Sequence, residues 1–185
     1  SSDLEMVAAP VMYEKARGFL GQFQQLDLAS LQAVTIGSFG FGLPFMANAA
    51  NLGYTKKLYS DLGGFEGSLH QPGGDDVFLL QKAAQKFPEK VHYLKAKQAI
   101  VQTQTEKSWT ELLNQRIRWA AKASSYTSLF GRDLALMTFA ANLALLLTVV
   151  LGYLGWISPE ITAALWLIKI VTDYLMTAPA HRFLT

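Results

Sequence analysis

From Leu134 to Ile157 the chain reads LALMTFAANLALLLTVVLGYLGWI, without a formal charge. At 1.5 Å of rise per residue, a helix of that stretch is long enough to cross a hydrocarbon layer about 30 Å thick. Asn142, Thr138 and Thr148 are tolerable inside such a span. The same stretch would also suit a core helix of a large soluble protein, but little in the rest of the chain could bury it. A transmembrane helix is therefore expected over 134–157. Ser158-Pro159-Glu160 then supplies a turn and a helix start. A second apolar stretch, ITAALWLIKIVTDYLMTAPA, gives a second helix over 160–180. Lys169 and Asp173 stand four apart on one face of it and can pair. This helix either returns across the bilayer or lies in its interface.

The charges around these segments suggest an orientation. Arg116, Arg118, Lys122 and Arg132 precede the first span, only Glu160 lies between the two, and His181 and Arg182 follow. The positive-inside rule then puts residues 1–133 and the C-terminus in the cytoplasm, and the expected location is the inner membrane, multi-pass.

Residues 1–133 mix charged, polar and apolar groups as soluble domains do. The mean hydropathy of +0.19 averages two regimes. A net charge of +2 is too small to argue for a nucleic-acid partner. With no cysteine, a disulfide framework and thiolate chemistry are excluded. SSDLEMVAAP has neither the positive region nor the long apolar run of a signal peptide. His70, His92 and His181 are scattered and show no metal-ligand spacing.

Strand and helix signals alternate here, which indicates an α/β domain. A strand is expected at Met6–Tyr13. A helix is expected from Glu14 to Leu31, where Phe19, Phe23, Leu26 and Leu31 recur at near-helical spacing. GSFGFGLP, Gly37 to Pro44, reads as a glycine-rich loop without the Lys-Ser/Thr of a P-loop. A short strand and helix follow in NLGYTKKLYSDL, ended by the glycines of GGFEG. A helix over Val77–Phe87 is stopped by Pro88, and VHYL and QAIVQTQ are short strands. Ser108 and Glu111 form a capping box that starts a helix near Trp109.

Two windows could carry chemistry. In HQPGGDDVFLLQK, Gly74 hands over to Asp75 and Asp76 at the start of a helix. Aspartate there can simply cap the helix, or a carboxylate on a rigid turn can act as a general base. Glu66, just upstream, reads as a solvated loop charge. In LLNQRIRWAAK, Gln115, Arg118, Trp119 and Lys122 recur at i, i+3, i+4 and i+7 and share one helix face. Arginine suits phosphate oxygens, an indole suits the face of a sugar ring, and glutamine both donates and accepts. The same stripe would also fit a polar face on which Trp119 anchors the helix at a membrane surface.

Taken in order, GGDDVFLL, QRIRW some forty residues later and then apolar helices resemble the C-terminal half of a membrane-bound family-2 glycosyltransferase. That group includes cellulose, chitin and hyaluronan synthases. The resemblance covers essentially the whole chain, with ANLGYTKKLYSDLGGF similar to the segment before the catalytic acid and QRIRW matching the Q-x-x-R-W motif in full. It implies a partial GT-A (Rossmann-like) domain over 1–130 followed by membrane helices. It implies an inverting transfer from a nucleotide sugar to a hydroxyl of a lipid-linked sugar or polysaccharide. Asp76 would be the general base and Asp75 would cap and orient the loop. Gln115, Arg118 and Trp119 would hold donor diphosphate and acceptor, and the turn at Gly74 would allow substrate to approach closely.

The sequence also departs from that family. It contains no D-x-D, the motif expected to hold a divalent metal (Mg or Mn) and the nucleotide. That motif and the donor-binding half are expected upstream of Ser1, so the chain is expected to be inactive alone and to need a partner or parent segment completing its sheet. No insert resembling a cellulose synthase gating loop follows QRIRW, which argues against processive synthesis. An alternative is a non-catalytic membrane scaffold or assembly subunit whose acidic turn and tryptophan helix dock a partner. A reporter fused into the Ser158–Glu160 loop is expected to appear outside the cytoplasmic membrane; a cytoplasmic signal there would rule out the hairpin.

Overall fold

The computed structural model describes residues 4–14, 17–65, 75–123 and 127–185, with the side chains of Asp75, Lys122 and Ala123 outside the description. Strands and helices alternate before a helical hairpin, in line with the α/β expectation. The strands are β1 (Met6–Ala8), β2 (Val11–Tyr13), β3 (Leu52–Tyr54), β4 (Val91–Tyr93) and β5 (Val101–Thr103). The helices are α1 (Gly18–Gly40), α2 (Lys56–Asp61), α3 (Asp75–Lys86), α4 (Trp109–Ala123), α5 (Leu129–Tyr153) and α6 (Pro159–Leu184).

The single strand expected at Met6–Tyr13 is two. β1 pairs antiparallel with β3 and parallel with β4, whereas β2 pairs parallel with β5 in a second sheet. The break falls at Ala9–Pro10, where proline has no N–H to give a ladder. Asn51 closes the gap. Its backbone carbonyl accepts from Ala9 N–H at 2.9 Å, and its amide donates to the carbonyls of Pro10 and Ala99 at 2.8 and 2.7 Å. Likewise only Val101–Thr103 of QAIVQTQ is strand; Lys97–Ala99 forms a 3-10 turn.

The first helix also differs from expectation. It begins at Gly18 and runs to Gly40, through the stretch read as a glycine-rich loop. Its buried stripe is Gly21, Gln24, Leu28, Gln32, Thr35 and Ser38. The apolar Phe19, Phe23 and Leu26 that marked the helix are exposed. Burying so polar a stripe requires partners, and they are present. Gln24 exchanges hydrogen bonds with both backbone groups of Glu106, Gln32 accepts from Tyr93 Oη–H, and the Thr35 and Ser38 hydroxyls donate back to helix carbonyls. Gly37 and Gly40 cost the helix about 1 kcal/mol each against alanine, not enough to stop it. The stop comes at Gly42, whose φ of 70° lets Gly42 N–H reach Phe39 O and Leu43 N–H reach Ser38 O.

The other local signals held. Thr55 caps α2 and left-handed Gly63 follows it, α3 ends just before Pro88, and Ser108 and Glu111 exchange the two bonds of a capping box. The core gathers Met6, Leu58, Leu79, Leu80, Ala83 and Val91 between β1, β4, α2 and α3. Burial of that face sets how α3 sits on the sheet.

α5 and α6 have 25 and 26 residues and mean hydropathies of 2.3 and 1.4 over their most apolar windows. At helical rise they are about 38 Å long, enough to cross a hydrocarbon layer. Within this chain little of their apolar surface is covered: 6% and 0% of those windows is buried. Ser158 caps α6, and Trp166 donates to the Thr148 hydroxyl across the pair at 3.3 Å. The expected Lys169–Asp173 pair forms, at 2.5 Å. The C-terminal end of α6 packs along α1, where Thr177, Ala180 and Leu184 are buried.

One side chain joins the α/β layer to α5. Gln81, buried on α3, donates to Phe45 O at 2.8 Å, and its carbonyl oxygen accepts from Thr127 N–H, Thr127 Oγ1–H and Ser128 N–H. Ser128 in turn caps α5. Beside it Gly131 packs so closely on Phe45 that an added Cβ would lie 2.4 Å from the ring. Gln81→Leu would strand several buried polar groups and should cost about 2–3 kcal/mol. Gly131→Ala should cost about 1–3 kcal/mol by overpacking. Thermal unfolding in detergent should show both as lowered midpoints; unchanged midpoints would refute the joint.

Candidate functional site

Four side chains of α4 point into the domain. Leu112, Gln115, Arg116 and Trp119 are buried or half-buried, at i, i+3, i+4 and i+7. Gln115 donates to the Glu106 carboxylate at 2.7 Å and accepts from Arg116 at 2.5 Å. Arg116 pairs with Asp27 of α1 and lies over the Trp119 ring, 4.2 Å from its centroid. The indole is thus held by a guanidinium that is itself held by a carboxylate on another helix. Trp109, at the start of α4, packs against Phe19 and Phe23 with centroids 6.0 and 5.6 Å apart.

Of the stripe expected from sequence, Gln115 and Trp119 therefore face inward. Arg118 is exposed and pairs with no carboxylate among the described residues. The side chain of Lys122 is outside the described residues. Arg116, which sequence reasoning used only as a flanking positive charge, is the arginine that reaches into the domain. Its signal was available in the spacing, since Leu112 and Trp119 flank it at i−4 and i+3. Its partner Asp27, distant in sequence, was not.

The carboxylate window is described in part. Residues 66–74, with Glu66, His70 and Gly74, and the side chain of Asp75 lie outside the described residues. The backbone of α3 begins at Asp75. Asp76 is half-buried and sits one turn before Leu79, Leu80 and Ala83, on the stripe that packs into the core. That stripe directs Asp76 inward from the first turn of the helix, where the macrodipole favours a carboxylate.

Asp76 and Trp119 line the same cavity, about 680 Å³ in volume. Its walls include Gln32 and Thr35 of α1, Asn48, and Leu134, Thr138 and Asn142 of α5. Neither Gln115 nor Arg118 reaches it. Among ionisable groups near α4, Asp27 is engaged by Arg116 and Glu106 by Gln115. Burial pushes the Tyr13 phenol up from its ordinary value, with the Arg116 hydrogen bond pulling the other way. Tyr13 thus stays protonated near neutral pH and is no base. Among the described residues Asp76 is the acidic side chain that lines the cavity, so the site can offer a carboxylate as proton acceptor beside the aromatic surfaces of Trp119, Phe45 and Phe139.

A metal centre is a separate matter. Among the described residues no three His, Asp or Glu side chains come together as a cation would need. The described side chains do not fit a divalent ion.

A model of the family described as "Glycosyl transferase family group 2" matches residues 1–177. No curated protein and no solved structure gives a match. Arg116→Ala should free the Trp119 ring and cost about 1–2 kcal/mol. Arg116→Lys should restore charge without the planar stack. Tryptophan fluorescence and thermal unfolding of the two variants check this; wild-type spectra and midpoints in both would show that the stack is idle.

Proposed function

The chain belongs to glycosyl transferase family group 2, and we propose that it carries the acceptor side of an inverting, membrane-attached glycosyltransferase with Asp76 as general base. The observation that carries this reading is that Asp76 and Trp119, some forty residues apart in sequence, line one cavity. In the proposed reaction an acceptor hydroxyl gives its proton to the Asp76 carboxylate. The acceptor oxygen forms a bond to the anomeric carbon of a nucleotide sugar. The bond from that carbon to the nucleoside diphosphate breaks, and its electron pair leaves with the diphosphate. One displacement inverts the configuration.

The roles of the other residues follow from their chemistry. Trp119 offers its apolar face to the acceptor sugar or its carrier. Arg118, exposed at the edge of α4, is free of described carboxylates and suits the charge that grows on the departing diphosphate. Gln115 acts through Arg116, which holds the indole. In this scheme Asp75 orients Asp76 and Gly74 contacts substrate. A divalent cation, Mg²⁺ or Mn²⁺, belongs on the donor side of this scheme, held by groups other than the described side chains. The membrane hairpin keeps the site at the cytoplasmic face of the inner membrane.

A base must lie within about 3 Å of the proton it takes, and such a base contributes about 10²–10⁴-fold in rate. Asp76→Asn keeps the shape and removes the basicity. Transfer by the intact protein should fall by about that factor, with nucleotide-sugar binding by calorimetry nearly unchanged. An Asn variant with wild-type turnover would refute the assignment of the base.

A further inference from the structure

We propose that the acceptor carries a long hydrocarbon chain, and that the cavity at Asp76 continues as the slot for that chain. This rests on the reading of Asp76 as the base, and it selects a lipid acceptor over a water-soluble polysaccharide.

The slot follows one face of α5. Gly131, Leu134, Ala135, Thr138, Phe139 and Asn142 line it, at i, i+3, i+4, i+7, i+8 and i+11, a single helical stripe. That stripe is about 16 Å long at helical rise. α1 contributes Leu28, Leu31 and Val34 to the slot's wall, and α6 contributes Met176. Asp76 and Trp119 line the same cavity as Phe139 and Met176, which are 65% and 46% exposed on helices able to span a membrane. A molecule with its reacting hydroxyl at Asp76 would therefore lay its remainder along surface that faces lipid.

The lining chemistry decides what that remainder is. A glycan presents hydroxyls on every ring and needs hydrogen-bonding partners throughout. The leucine, valine, alanine, phenylalanine and methionine side chains that make up most of the lining supply none, against Ser30, Gln32, Thr35, Asn48, Thr138 and Asn142 as its neutral polar groups. A hydrocarbon chain needs none, and gains by burial about fourfold in affinity per methylene taken from water. The volume of about 680 Å³ lies within the range of ordinary small-molecule sites. The slot is partly open, so a chain can enter from the bilayer while its head stays at the aqueous edge.

Two measurements on the intact protein in lipid nanodiscs test this. A diazirine-bearing sixteen-carbon alcohol is photolysed and its adducts are mapped by mass spectrometry. Adducts concentrated on Leu134, Ala135, Thr138 and Phe139, and lost in Ala135→Trp but not in Met137→Trp, are expected. Met137 is exposed on another face of α5. Adducts spread evenly around α5, or unaffected by Ala135→Trp, would overturn the slot whatever the activity. In the second, membranes are given radiolabelled UDP- and GDP-hexoses. Label extracted into organic solvent, and reduced at least tenfold by Ala135→Trp, is expected. Label in water-soluble polymer, untouched by Ala135→Trp but abolished by Asp76→Asn, would overturn the lipid acceptor and leave the base in place. Transfer that survives Asp76→Asn would instead defeat the reading of the base, and the photolabelling would still decide the slot.

Discussion

The carboxamide of Gln81 is the joint on which the arrangement depends. It is buried, and its two ends face two different structures. Its nitrogen binds the Phe45 carbonyl, and its oxygen takes three donors from Thr127 and Ser128. A buried amide pays heavily for any unmade bond, so the loop before α5 has little choice of position relative to α3. Asp76 stands on α3 five residues upstream, and Gly131 on α5 three residues after Ser128. The same contact that fixes the carboxylate on the sheet therefore fixes the first turn of an apolar helix beside it. The cavity between them has a defined width because of this one side chain, with Phe45 wedged against Gly131 as its second support.

A comparable economy appears in α1. A helix packed by an apolar stripe would have buried Phe19, Phe23 and Leu26. This one buries Gln24, Gln32, Thr35 and Ser38, each with named partners, and leaves the apolar residues outward. The partners lie on β4, on the loop before α4 and within α1 itself. Directional bonds of this kind specify register more sharply than apolar contact does. Gln32 and Thr35 also line α1's side of the cavity, interleaved with Leu28, Leu31 and Val34.

How much of this was legible beforehand varies with the range of the interaction concerned. The capping box at Ser108 and Glu111, the glycine stop after α2, the end of α3 before Pro88 and the turn at Ser158 are all closed within four residues, and each was readable. The pair of long apolar helices was readable because its signal is summed over many residues. The break at Ala9–Pro10 was not, since a strand signal of eight residues outweighs one proline until Asn51 is seen bridging two sheets. The run of α1 through Gly37 and Gly40 was missed for a like reason: the glycines are local signals against helix, while the partners that hold the helix are distant. Choosing between Arg116 and Arg118 needed Asp27, which lies on another element. In the candidate site, Asp76 and Trp119 were nameable from their windows, but that they share a cavity is a fact of three-dimensional packing.

The stack of Asp27, Arg116 and Trp119 bears on why the proposed site tolerates an open groove. An acceptor sugar on a freely turning indole would lose in ordering entropy much of what the contact gains. Here the ring is held from behind, so less ordering is left for the moment of binding. The guanidinium and its carboxylate partner are both only partly exposed, so the support survives moderate salt better than a surface pair would. A rigid aromatic wall, a carboxylate fixed by the core stripe of α3 and a trough along α5 then leave an incoming chain few productive poses. On the proposed chemistry, positioning supplied by the scaffold replaces the enclosure that a closed pocket would provide.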